Sequence, residues 1–184
     1  MENKTLKEIF QVIGHFGSDI GCNDKGSTHS YIETYDKLFS PYRDKCSFLE
    51  IGLALGDSIK LVDEYFTNSK IVGVDISVVF TPPAYKNNVR IIQADATKQE
   101  FLDTINGETF DIIIDDGSHM ENDQVDTFNM LKSRMNKGGI YIIEDILALD
   151  QNRKRFESLH ANCEIIDLRK VKNRFDDVLI IYRF

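Results

Sequence analysis

Two short apolar runs, each ending abruptly in carboxylates, constrain this chain more than any other feature. The first is Phe110-Asp-Ile-Ile-Ile-Asp-Asp-Gly-Ser-His119 and the second is Ile140-Tyr-Ile-Ile-Glu-Asp145. A strand that is apolar at successive positions, not at alternate ones, is buried on both faces, as in a parallel sheet covered by helices. Neighbouring strands lie ~4.8 Å apart. Pairing these two in parallel therefore brings Asp116, Glu144 and Asp145 to one sheet edge, close enough to share a divalent cation, with His119 above it as a titratable base.

The same pattern recurs along the chain. Apolar strand segments fall at 46–51, 70–75, 89–93, 110–115 and 139–144, with helical segments at 57–66, 97–105, 122–135 and 151–160. Right-handed crossovers between such strands give a doubly wound α/β sandwich. The tail departs from the alternation, because residues 163–168 and 177–183 are β-rich and only the polar stretch Arg169 to Asp176 separates them. A parallel return needs a dozen residues or more, so the last strand is expected to be antiparallel.

Ahead of the sheet, residues 3–16 read as a short amphipathic helix through Leu6, Ile9, Phe10 and Ile13, followed by a polar segment from Gly17 to Thr28. Ser30 with Glu33 has the spacing of a capping box. That box would start a helix through Tyr31, Tyr35, Leu38 and Phe39 that stops before Pro41. The expectation is a single domain over 1–184, with 1–44 as a helical lid.

Composition narrows the partners. The net charge is −8 and there is no Lys/Arg run, which disfavours nucleic acid, since phosphate binding needs a basic footprint. No apolar stretch approaches membrane-spanning length, and the N-terminus lacks a signal-peptide core. Cys22, Cys46 and Cys163 have no metal-ligand spacing and are odd in number, as expected of small buried hydrophobes in a reduced, cytoplasmic protein.

The first half carries a nucleotide-site pattern. The first strand runs into Leu49-Glu-Ile-Gly-Leu-Ala-Leu-Gly56 and then a helix. Glycines at such a turn let the backbone approach a ligand, while the helix N-terminus favours anionic groups. Ala54 stands where a middle glycine is usual, and glycine turns of this kind also serve packing alone. Asp75 ends the second strand, where an acid hydrogen-bonds ribose hydroxyls, and Asp95 ends the third. Glu50/Gly52, Asp75, Asp95 and Asp115/Asp116 thus sit at successive strand ends, which is where an open α/β sheet binds its ligand.

With these residues in place, the chain resembles the class I S-adenosylmethionine-dependent methyltransferases over roughly residues 22–184. That likeness implies a Rossmann-like seven-stranded sheet of order 3-2-1-4-5-7-6, with cofactor contacts from Glu50, Gly52, Gly56, Asp75, Asp95 and Asp115. A narrower likeness rests on Asp24-Lys-Gly-Ser-Thr-His-Ser-Tyr31, Asp115-Asp-Gly-Ser-His119 and Glu144-Asp145. These stretches resemble the metal-dependent O-methyltransferases that modify sugars of macrolide and aminocoumarin antibiotics, and in part the cephalosporin-hydroxylase-like group. By that resemblance Asp116, Glu144 and Asp145 hold Mg²⁺, His119 is the base, and Lys25 and His29 lie in a lid over the cofactor. The acceptor it implies is a saccharide or glycosylated small molecule, and the assembly a homo-oligomer. The macrolide enzymes carry a large additional N-terminal domain that these 184 residues do not contain.

Bland alternatives stand beside these roles. His119 can be a loop histidine bonded to backbone, and Glu144 and Asp145 a solvated strand end. Asp115 and Asp116 are adjacent, so in an extended chain they point opposite ways and cannot ligate one ion alike. Glu33 is explained by capping, and Tyr31, Tyr35 and Phe39 by packing on one helix face. A non-catalytic binding subunit on the same fold, or a nicotinamide oxidoreductase sharing the first βαβ unit, are the rival functions.

Overall fold

The computed structural model describes residues 4–13 and 24–184; Cys22 and part of the polar segment after the first helix lie outside the described residues. Seven strands form one sheet: β1 (Ser47–Ile51), β2 (Lys70–Asp75), β3 (Asn88–Gln93), β4 (Phe110–Asp115), β5 (Met135–Ile143), β6 (Cys163–Asp167) and β7 (Val178–Arg183). Their order is β3-β2-β1-β4-β5-β7-β6, and β7 runs antiparallel to both of its neighbours. The expected architecture, with its antiparallel final strand, is the one observed.

Helices cover both faces. Leu6 and Ile9 of α1 (Leu6–Ile13), Tyr35 and Phe39 of α3 (Ile32–Phe39), and Ile59 and Val62 of α4 (Asp57–Tyr65) pack with Phe48, Ile112, Ile114, Ile140 and Ile142. On the other face lie α5 (Phe101–Thr104), α6 (Glu121–Leu131) and α7 (Leu149–Glu157), whose Phe101, Val125, Phe128 and Phe156 meet Leu49, Ile113, Tyr141 and Ile143. Strands apolar at every position thus feed two cores, one per face. A four-residue helix, α2 (Asp24–Ser27), precedes α3 at the edge where the parallel strands end.

Local details differ from the sequence reading where tertiary bonds outbid local signals. Ser30 does not cap α3: its backbone N–H donates to Asp177 Oδ1 at 3.0 Å, while Glu33 is exposed and pairs with Lys7. Glu33 is accordingly far from any metal role. The reciprocal capping box is Thr5 with Glu8, where each backbone N–H donates to the other's side-chain oxygen. The expected helix over 97–105 is mostly i→i+3 turns, with only Phe101–Thr104 helical. α6 ends at Leu131 and a 3₁₀ turn follows, because Met135 already pairs with Phe110 at the start of β5.

Candidate active site

The side-chain alternation of the strands sorts the acids. Along β4, Ile112 and Ile114 face α1, α3 and α4, whereas Ile113 faces α5, α6 and α7. Asp115 continues the second series and is buried beside Tyr141, whose hydroxyl donates to its Oδ2 at 3.4 Å. Burial, with the neighbouring Asp116 charge, pushes the Asp115 carboxyl up to about 7. Asp116 falls on the opposite side, with Glu50 of β1 and Glu144 after β5. The strand-end acids therefore divide into two regions.

The first region is an open cleft of about 410 Å³, lined by Gly52, Asp75, Asp95, Asp115 and Gly117 among others. That size suits a small ligand. Asp75 is committed to the turn beside it: Oδ2 accepts from the Leu53 and Ala54 amides at 2.7 and 3.2 Å, and Oδ1 from Ser77 at 2.9 Å. Ala54 adopts φ 47°, so the missing middle glycine is accommodated in left-handed backbone that Asp75 pins. Asp95 Oδ1 accepts from the Thr97 hydroxyl and amide, which hold its carboxyl below the usual range.

The two glycines face different neighbours. Gly52 has φ +85°, and a Cβ there would lie 1.9 Å from the Asp116 carbonyl oxygen. It lines the cleft, but it also lets the loop after β1 press on the loop after β4. A Cβ on Gly56, at φ +81°, would meet the Phe80 ring at 2.6 Å. Gly56 therefore faces protein, not the cleft.

The second region is a buried acidic cluster. Lys25 Nζ lies 2.7 Å from Asp116 Oδ2, 2.7 Å from Glu144 Oε1 and 3.2 Å from Glu50 Oε1. Burial opposes the Lys25 charge, yet the three carboxylates outweigh it and hold its pKa well above the ordinary value. Burial and the crowding of like charge push Glu144 well up and raise Glu50. Tyr35 donates to Glu144 Oε1 at 2.7 Å, and Gln124 Nε2 donates to the Glu144 carbonyl at 3.0 Å.

Asp145 is bound from the other side. Tyr31 donates its hydroxyl to Oδ1 at 2.7 Å, and His29 Nδ1 lies 3.2 Å from the same oxygen. Burial and the Asp116 charge lift the Asp145 carboxyl to about 6. Its Oδ2 is turned toward His119, whose Nδ1 lies 3.8 Å away and 3.9 Å from Asp116 Oδ1. Both His119 and Asp145 adopt left-handed backbone, at φ 57° and 54°, a conformation that non-glycine residues hold only where their surroundings enforce it.

Asp116, Glu144 and Asp145 are all within the cluster, but their oxygens fall into two sets that share Asp116. One is Glu50, Asp116 and Glu144; the other is Asp116, His119 and Asp145. In the second set one donor atom per residue lies within 4.8 Å of the others, a span over which ligands with bonds of about 2.1 Å can surround one small cation. His119 Nδ1 is buried there with no hydrogen-bond partner among the described residues. The carboxylate oxygens of Asp116 and Asp145 suit a hard divalent ion such as Mg²⁺.

Lys25, His29 and Glu50, expected at the cofactor, do not line the cleft; all three are buried on the acidic cluster. Tyr31 and Tyr35, read as packing, hydrogen-bond the two acids after β5 while also stacking in the core. Asp177 reaches the same place from the start of β7, taking the Ser30 amide. The Lys-Gly-x-x-His-x-Tyr spacing was the one sequence signal for these contacts; Tyr35 and Asp177 had none.

Residues 43–180 match a family described as a methyltransferase domain. The chain belongs to that family. A rhamnosyl tetracenomycin-C 2'-O-methyltransferase from Streptomyces olivaceus is 33% identical over 136 residues, covering 67% of this chain and 35% of that protein. The mycinamicin VI 2''-O-methyltransferase of Micromonospora griseorubida is 34% identical over 131 residues, covering 66% of this chain and 32% of that protein. Among solved structures, the MycE methyltransferase of the mycinamycin pathway, in complex with Mg and SAH, superposes with a TM-score of 0.62 at 29% identity. That match covers 80% of this methyltransferase domain and 38% of MycE. The chain spans about a third of the length of the curated relatives it matches. The resemblance read from the motifs is thereby borne out at the level of family and fold.

Proposed function

We propose that this methyltransferase domain carries out S-adenosylmethionine-dependent, Mg²⁺-assisted O-methylation of a sugar hydroxyl on a saccharide or glycosylated small molecule. The observation that carries the reading is the meeting of Asp116, Asp145 and His119 at the ends of β4 and β5, beside a cleft bordered by Asp75, Asp95 and Asp115. Relatives named as sugar O-methyltransferases, and a neighbouring structure with Mg and SAH, support it.

The cofactor supplies an activated methyl group and the ion a Lewis acid that lowers the acceptor's pKa. The protein's own work is orientation and proton removal. Asp75 and Asp95 rim the cleft with fixed carboxylates, able to take ribose hydroxyls on the lone pairs their amide bonds leave. Asp116 and Asp145 would provide oxygens for the ion, with Asp145 held by Tyr31. His119 Nδ1, with no hydrogen-bond partner among the described residues, is placed to take the hydroxyl proton. Calorimetry with adenosylhomocysteine tests the reading first, followed by methyl transfer from radiolabelled S-adenosylmethionine to a panel of glycosides. Absence of cofactor binding would end it.

A second reading, a non-catalytic binding or partner subunit, draws on the Lys25 ammonium seated among the acids. It expects cofactor binding without metal-stimulated transfer to any acceptor in that panel.

A further inference from the structure

The buried face of α6 carries Gln124 beside Val125, Phe128 and Leu131, and a glutamine is out of place in that company. Gln124 is only 3% exposed, and an amide taken out of water is costly unless it finds a partner. The partner is a main-chain group: Nε2 donates to the Glu144 carbonyl at 3.0 Å. That carbonyl belongs to the peptide group joining Glu144 to Asp145. The group is planar, so fixing its oxygen also fixes the plane from which Asp145 departs. Glu144 in turn donates its own N–H to the Asp115 carbonyl at 3.0 Å. Both polar backbone groups of Glu144 are thus held, one by β4 and one by α6.

Asp145 needs that hold. Its φ of 54° is a strained conformation that persists only where the surroundings over-determine it. In that conformation its Oδ2 lies 3.8 Å from His119 Nδ1. His119, at φ 57°, is gripped from the same turn of α6. Ser118 Oγ accepts from the Met120 amide at 3.3 Å and donates to Asp123 Oδ2 at 2.6 Å. Asp123 and Gln124, adjacent on α6, therefore reach the two loops whose left-handed residues face each other. The helix itself is anchored, because Arg155 of α7 donates to Glu121 Oε1 at 2.5 Å and to Asn122 Oδ1 at 2.9 Å.

We propose that Gln124 is a positioning residue for the metal site: its amide holds the Glu144–Asp145 peptide so that the Asp145 carboxylate is presented to a cation shared with Asp116. The inference rests on the metal dependence proposed above and deepens it, by naming the side chain behind the ligand. Packing alone does not call for an amide here, since an unbranched apolar side chain of the same length would fill the space beside Val125 and Phe128. Mg²⁺ demands near-ideal octahedral geometry, so a ligand left free to turn shows in affinity. Residues that hold a ligand from behind are worth about 10–100-fold in metal affinity.

The test sets Gln124→Met against Val125→Ala in the full chain. Calorimetry measures Mg²⁺ affinity with adenosylhomocysteine saturating and, separately, adenosylhomocysteine affinity without Mg²⁺; urea unfolding measures stability. Gln124→Met should weaken Mg²⁺ about tenfold or more while adenosylhomocysteine affinity stays within about twofold. Val125→Ala removes packing from the next residue of the same helix, so it should lower the unfolding midpoint yet leave Mg²⁺ affinity within about twofold. Should the methionine variant not fold, Gln124→Asn, whose amide is one methylene too short to reach the carbonyl, carries the same expectation. Wild-type Mg²⁺ affinity in the folded variant overturns the proposal and leaves the metal-dependent reading intact. A loss no greater than that of Val125→Ala, or a parallel loss of adenosylhomocysteine affinity, does the same. Absence of Mg²⁺ binding by the wild-type chain overturns both.

Discussion

The open cleft and the buried acidic cluster lie at the same sheet edge, yet they are built by different rules. The cleft is made by local chemistry: each acid sits at the end of its own strand and binds amides or hydroxyls within a few residues or in the adjoining turn, as Asp95 does with Thr97 and Asp75 with Ser77. The cluster is made by long-range closure. Lys25, His29, Tyr31 and Tyr35 arrive from before the sheet to meet Glu144 and Asp145, more than one hundred residues further on. Local bonds fix a site's shape cheaply, whereas closure lets a segment distant in sequence set a site's charge.

The contrast can be broken most severely at Asp116, the residue the two carboxylate sets share. Asp116→Asn should reduce metal-stimulated methyl transfer by at least about a hundredfold, the scale of losing an ion's Lewis-acid contribution, while adenosylhomocysteine still binds. Full turnover in this variant would remove the cluster from the chemistry. His119→Ala should lower transfer by about 10²–10⁴-fold, with little change in cofactor or Mg²⁺ affinity by calorimetry. A proportionate loss of Mg²⁺ affinity would instead make His119 a ligand.

Legibility from sequence follows the same division. Strand ends, the parallel sheet and the antiparallel β7 were readable because each rests on short-range pattern: continuous apolar runs, and a connection too short for a crossover. The division of Asp115 from Asp116 was readable too, since alternation along a strand separates neighbours. What escaped was anything decided by a partner distant in sequence. Ser30 and Glu33 have a capping box's spacing, but Asp177 and Lys7 claim them. Glu50 has the place of a cofactor-binding acid, but Lys25 draws it to the cluster. Gly56 has the place of a ligand-approach glycine, but Phe80 fills the space.

Smaller perturbations sharpen the comparison. Gly52→Ala puts a methyl into the Asp116 carbonyl on backbone at φ +85°, so thermal or denaturant unfolding should show a loss of about 2–4 kcal/mol. Gly56→Ala meets a ring that can turn aside and should cost less, about 1–2 kcal/mol. Asp95→Ala should weaken adenosylhomocysteine about tenfold, equivalent to about 1.4 kcal/mol, without altering Mg²⁺ affinity. A matching drop in Mg²⁺ affinity would show that cleft and cluster are not separable. Smallest of all, Thr5→Ala should cost about 1 kcal/mol as the loss of a working cap, and Ser30→Ala should stay within about 0.5 kcal/mol.

The central claim is that a divalent cation binds where β4 and β5 end, next to the nucleoside cleft. A crystal grown with Mn²⁺ and adenosylhomocysteine tests it most directly, through anomalous scattering. The account predicts one strong peak within about 2.3 Å of an Asp116 oxygen, with adenosylhomocysteine between Gly52 and Asp95. A peak elsewhere, or full cofactor density with no peak at Asp116, would contradict it.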